Sequence, residues 1–165
     1  MIIKKLQTYN FRAATEVTID FSTDSEKNVT VIRAENRTGK TTLLNALLWG
    51  IFGEEGLKNK GKDYRISNLN EIPGSETKIE VILDFEHTFH RSPMTGQKVD
   101  RTVDYRLVRT AIEKIAGNGK HERASNDSNF DLFELTNAGS SEQPNPQEKI
   151  KTMLGSNVKD LFFTN

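Results

Sequence analysis

The chain has 165 residues, enough for one domain with a sizeable core. Its 23 lysines and arginines balance 23 aspartates and glutamates, so a global basic field for nucleic acid is excluded, and such binding needs a local patch. With no cysteine, disulfides, thiol nucleophiles and thiolate zinc sites are excluded as well. No stretch approaches the roughly 18 apolar residues of a membrane span, and Met1-Ile2-Ile3-Lys4-Lys5-Leu6 is unlike a signal peptide. The expectation is an intracellular, cytoplasmic protein with no membrane partner.

Residues 2–8 read as a strand, and Asn10-Phe11-Arg12-Ala13-Ala14 as the break after it. Residues 15–21 alternate, with Val17, Ile19 and Phe21 on one face and Glu16, Thr18 and Asp20 on the other, which predicts a second strand. A polar loop at 22–28 leads to Val29-Thr30-Val31-Ile32, a short buried strand by its composition. Next comes Ala34-Glu35-Asn36-Arg37-Thr38-Gly39-Lys40-Thr41-Thr42, opening into a helical pattern with Leu44, Leu47, Leu48 and Ile51 at helical spacing and Gly53 as its stop. Strand, loop, Gly-Lys-Thr and helix is the context that a phosphate-binding P-loop requires. Loop amides and the positive end of the helix dipole favour an anion there. Lys40 would reach the β- and γ-phosphates of ATP and the Thr41 hydroxyl would ligate Mg²⁺. The pattern departs from the consensus at Ala34, where glycine is asked for, and at Arg37 in the middle of the loop.

Residues 54–74 are polar and carry Lys58, Lys60, Lys62 and Arg65, either a solvated loop or a local basic segment facing phosphates or DNA. Residues 77–89 alternate through Ile79, Val81, Leu83 and Phe85, and 101–111 alternate less cleanly through Val103, Tyr105, Leu107 and Arg109. With a turn at 92–97 between them they predict an antiparallel hairpin. Residues 117–129 lack periodicity, 130–136 alternate as a further strand, and 146–154 read as a helix with proline at its start and Gly155 past its end. The apolar Leu161-Phe162-Phe163 looks like the start of another strand, the expectation being a fragment of a longer protein.

The chain resembles the N-terminal lobe of the SMC-like ABC ATPases, the group of chromosome-condensing proteins, double-strand-break repair ATPases and RecF. The resemblance is carried by Ile3-Lys4-Lys5-Leu6 through Asn10-Phe11-Arg12, by the P-loop running on into Leu43-Leu44-Asn45-Ala46-Leu47-Leu48-Trp49-Gly50-Ile51-Phe52-Gly53, and by Asn145-Pro146-Gln147-Glu148-Lys149-Ile150 with Leu161-Phe162-Phe163. That last stretch is most similar to the ATPase of the DNA phosphorothioation (sulfur-modification) system and related phage-defence ATPases. The resemblance implies an α/β fold, a P-loop NTPase half-head with an antiparallel β-lobe, over a single unit 1–165. It also implies ATP and Mg²⁺ as cofactors, Lys40 as the catalytic lysine, Thr41 as the metal ligand, and Arg12, Asn36, Arg37, Thr38, Gly39, Lys40, Thr41 and Thr42 around the nucleotide. Backbone at 63–66 would lie beside the adenine, and Arg37 would face an ATP-bridged partner head. The implied partners are the C-terminal half of its own head, a second head joined by an ATP sandwich, and DNA, with nucleoid association following from the last. Alone, such a half would bind ATP without hydrolysing it. Two rival readings are a small P-loop kinase and a non-catalytic dimerisation domain with a degenerate P-loop.

Several features imitate other chemistry. Val81-Ile82-Leu83-Asp84-Phe85-Glu86 looks like a Walker B strand, but it alternates where a parallel central strand should be continuously apolar. His87 and His90, three apart on a strand, point to opposite faces and make a poor metal pair. Thr8-Tyr9-Asn10-Phe11 fits core packing better than a stacking platform for bases, and Glu54-Glu55 after a helix end fits a solvated turn.

Overall fold

Apolar–polar alternation builds most of this molecule. In the computed structural model, which describes residues 1–27, 29–33, 35, 39–57, 65–68, 74–91, 94–116, 121–122 and 128–155, seven strands form one sheet. β1 (Ile2–Phe11) and β2 (Ala14–Asp20) make a tight hairpin, and β3 (Glu76–Arg91) and β4 (Lys98–Ile115) a long one. β5 (His121–Glu122), β6 (Ser128–Thr136) and β7 (Gly139–Glu142) follow, all paired antiparallel. The spatial order is β2-β1-β3-β4-β6-β7, with β5 beside β4. β1 pairs with both β2 and β3, so the helix Lys40–Phe52 and segment 65–68, which lie between β2 and β3 in sequence, come between two strands that flank the same neighbour.

The two faces of the sheet follow from the pleat, which sends alternate side chains to opposite sides. Ile79, Val81, Leu83 and Phe85 of β3 are buried, as are Val103, Tyr105, Leu107 and Ala111 of β4. Both helices cover this face. α1 (Lys40–Phe52) is apolar nearly all round, the pattern of a helix enclosed on several sides. It comes closest at Gly50, where a Cβ would stand 2.9 Å from Val81 Cγ1 and 3.1 Å from Leu83 Cδ1. Trp49 packs on Phe11 with ring centroids 5.6 Å apart. α1 ends at Gly53, whose φ of 64° suits glycine, and one 3₁₀ turn (Gly53–Gly56) follows. α2 (Pro146–Leu154) starts on proline, ends at Gly155 and seats Ile150 in the same core.

The opposite face is charged. Glu86 and Asp104 stand directly across from one another on β3 and β4, a like-charge pairing that is unfavourable by itself. The register slips between Ile3 and Lys5, and the Lys4 ammonium bridges the pair at 3.0 Å from Glu86 and 2.7 Å from Asp104. Those two hydrogen bonds hold the Lys4 pKa above its ordinary value. Asp84, the residue that imitates a Walker B carboxylate, instead receives two bonds from Arg106, at 2.7 and 2.8 Å.

The strand expected at 29–33 is not formed. This segment carries no strand pairing, and Val29 and Val31 are each 74% exposed. A parallel central strand is stable when neighbours pair with both its edges and helices cover both its faces, and among the described residues no strand pairs with it. Leu44 on the neighbouring helix is 45% exposed. The expected loop at 54–74 includes the 3₁₀ turn and a tethered segment at 65–68, joined to β1 by an isolated Phe11–Ser67 bridge. The stretch at 117–129, expected to lack periodicity, contains β5 and the start of β6. Residues 158–163, expected as an apolar strand start, lie outside the described residues, as do Ala34, Lys58, Lys60 and Lys62.

Candidate functional site

Gly39 sets the entry to α1. Its φ of 106° and ψ of 7° belong to a left-handed conformation, and a Cβ built there would meet nothing within 4 Å. Backbone conformation rather than space therefore calls for glycine. The first helical bond runs from the Leu43 N–H to the Gly39 carbonyl at 3.0 Å, so the amides of the first turn before it are not needed by the helix's own ladder. Among the described residues no side chain caps this end, and no acid lies in the first turn. A helix start without acid or cap suits an anion, because its amides and dipole both attract negative charge. The Lys40 ammonium turns back over the loop and donates to the Glu35 carbonyl at 3.2 Å. Ile32, Arg33, Glu35 and Lys40 line a shallow depression of about 520 Å³ here. Thr41, next to the lysine in sequence, is exposed. This donor set fits a nucleotide's phosphates with a magnesium ion.

The structure thus brings Gly39, Lys40, Thr41 and Thr42 together at one helix end. Asn36, Arg37 and Thr38 lie outside the described residues. Arg12 comes from a different element, the turn between β1 and β2. Its φ is 52° and its N–H donates to the Ile66 carbonyl at 2.8 Å. Of the backbone expected beside the adenine, Arg65 and Ile66 are described, and Asp63 and Tyr64 lie outside.

Two residues with no role assigned from sequence organise the surroundings. Arg109 of β4 projects under the far end of α1. It donates to the carbonyls of Gly50 at 3.0 Å and Ile51 at 3.4 Å, and to Gln147 Oε1 of α2 at 3.2 Å. Its guanidinium lies 4.0 Å from the Phe130 ring centre and 6.0 Å from that of Trp49. Burial pushes its pKa down to about 10, against the opposing pull of Glu54. A cation at the C-terminal carbonyls of a helix is where the dipole favours it. Glu113, also on β4, is fully buried and accepts from the Ser67 N–H at 2.8 Å and the Ile66 N–H at 3.4 Å. Both sit at positions that the alternation of β4 assigns to the apolar face, and a charge on that face was the available signal.

The decoys resolve in place. Phe11 is core, fully buried against Trp49. His90 pairs with Asp100 at 2.9 Å, whereas His87 stacks edge-on to Phe89 with centroids 4.6 Å apart.

An antiparallel β-lobe, a core-covering α1 and a Gly-Lys-Thr helix start define a P-loop NTPase half-head of the ABC/SMC type. Residues 5–162 match the AAA domain family, and the chain belongs to that family. It is 31% identical over 86 residues to a DNA double-strand break repair Rad50 ATPase of Methanococcus maripaludis, a match covering 52% of this chain and 8% of that protein. A solved chain from work on the ATP-driven dimerization and DNA stimulated activation of SMC ATPases shares the fold, with a TM-score of 0.50 at 19% identity, over 93% of this chain and 78% of that one.

Proposed function

We propose that the chain, as a single unit 1–165, is the ATP-binding N-terminal half of an SMC-like ABC ATPase head. The observation that carries this reading is the helix start at Gly39-Lys40-Thr41, with the Lys40 ammonium turned over the loop backbone at 3.2 Å from the Glu35 carbonyl. Lys40, the loop amides and Arg12 bind and orient the phosphates, with Asn36, Arg37, Thr38 and Thr42 around them, and Thr41 holds Mg²⁺. The ion supplies charge neutralisation for phosphoryl transfer, which depends mainly on positioning and electrostatics. The exposed Val29, Val31, Ile32 and Leu44 support the half-head reading: they offer an apolar side to the complementary half that supplies the remaining catalytic groups. In the assembled, cytoplasmic protein, ATP joins two heads and hydrolysis releases them, coupled to DNA engagement. The Rad50 relative and the SMC-type fold support a role in DNA repair. The sequence resemblance of 145–154 with Leu161-Phe162-Phe163 to phosphorothioation and phage-defence ATPases is the ground for extending the proposal to DNA modification or defence.

Thermal melting with and without ATP·Mg²⁺ tests the site. A ligand at 100 times its Kd stabilises the folded state by about 2.7 kcal/mol. The expected result is a nucleotide-dependent rise in Tm for the wild type that Lys40→Ala abolishes. Equal behaviour of the two proteins would favour a degenerate P-loop serving dimerisation. Rapid ATP turnover by the isolated chain would instead defeat the half-site reading.

A further inference from the structure

Glu113 is a carboxylate with 0% exposure, on a strand face that is otherwise largely apolar. Burying a charge there is costly unless hydrogen bonds compensate it, and an apolar side chain of similar volume would serve packing better. Glu113 accepts from the backbone of 66–67, a segment 46 and 47 residues away in sequence, and His121 Nδ1 stands 3.9 Å from its Oε2. That segment is then tied, residue by residue, to the turn between β1 and β2. The Ile66 carbonyl accepts from the Arg12 N–H at 2.8 Å, Ser67 forms the bridge with Phe11, and Asn68 Nδ2 donates to Thr15 Oγ1 at 2.7 Å. Arg65 stiffens it from within through Ser67 Oγ and the Asn68 carbonyl. Segment 65–68 is therefore a strut with one end on β4 and the other on residues 11–15. At that far end Asn10 and Arg12 both hold left-handed backbone, with φ of 51° and 52°, a conformation that persists where surrounding structure enforces it.

We propose that Glu113 is a positioning residue for the nucleotide site, fixing the strut and through it the backbone that aims Arg12. The inference rests on the reading above that Arg12 faces the nucleotide's phosphates. Glu113 touches no reacting group. It acts by removing the alternative backbone states that Arg12 would otherwise sample.

The test combines ATP·Mg²⁺ titration calorimetry with amide hydrogen exchange on Glu113→Gln, Glu113→Leu, Arg12→Ala and the double variant Arg12→Ala/Glu113→Leu. Glu113→Leu should weaken ATP binding about tenfold or more, the scale of a lost charge-assisted hydrogen bond. Glu113→Gln should fall between, since its carbonyl still accepts from Ser67. In the Arg12→Ala background, Glu113→Leu should have no further effect. Exchange should accelerate at the Arg12 and Ser67 amides while α1 amides keep their protection, a pattern that general loss of stability would not give. If Glu113→Leu does not fold, Glu113→Gln decides by the same two readouts. Wild-type affinity in the Glu113 variants, or an equal loss with and without Arg12, overturns the proposal while leaving Arg12 in the site. Wild-type affinity in Arg12→Ala, with binding abolished in Lys40→Ala, overturns both the placement of Arg12 and this proposal.

Discussion

Gly39 and His87 show how much a single position decides. At Gly39 the backbone stands at φ 106° in open space, so Gly39→Ala adds strain without adding a clash. The expected cost is about 1–3 kcal/mol, read as a lower urea midpoint with unchanged slope. His87 has a buried Nδ1 with no hydrogen-bond partner among the described residues. Burial first, then the N-terminal ammonium and His90, lowers its pKa below the ordinary 6.5. The unfolded chain therefore binds this proton more readily than the folded one. Stability that is complete above pH 6.5 is lost as pH falls through the folded pKa. Melting curves of wild type and His87→Leu should run parallel above pH 6.5 and diverge below it, the wild type falling faster.

Arg109 and Gly50 define how α1 is held by the sheet. Arg109→Met keeps much of the apolar stem and removes the donors to the Gly50 and Ile51 carbonyls, which should cost about 2 kcal/mol by chemical denaturation. Gly50→Ala acts by crowding instead, placing its methyl 2.9 Å from Val81, with an expected cost of about 1–3 kcal/mol. Measured together the two should be non-additive, since both act on one helix end. Local pattern made these elements legible and left their partners hidden. Alternation located β3 and β4 and placed Arg109 on the buried face, and proline and glycine bounded α2. Arg109 meets its carbonyls across 58 and 59 residues of chain, and Glu113 its amides across 46 and 47, so neither could be read from a local window. Residues 29–33 fail in the opposite sense: composition announced a buried strand, but a strand of that kind exists only through its neighbours. The helix start at Gly39 was legible because Gly-Lys-Thr and the helical pattern after it are local, even though the strand expected before it is not formed, whereas the tether on Arg12 is not local.

At the scale of the whole molecule, the proposed nucleotide site lies in the stretch of chain between β2 and β3, while the strands from β3 onward follow one another as hairpins and a meander. Within β3 to β7 the pairings close short loops. Pairing β1 with β3 must close the whole of that stretch, at a larger entropic cost. The long β3–β4 hairpin and its β6–β7 extension should therefore become protected first in pulse-labelling hydrogen exchange during refolding. β1–β2 should dock last, as the step that seats Phe11 against Trp49 and brings Arg12 to Ile66. In a chain that emerges N-terminus first, β1 has only β2 to pair with and must wait, already synthesised, until β3 arrives to cover its other edge. The proposed nucleotide site is then completed late in folding, so ATP would act as a ligand that reports completion of the sheet.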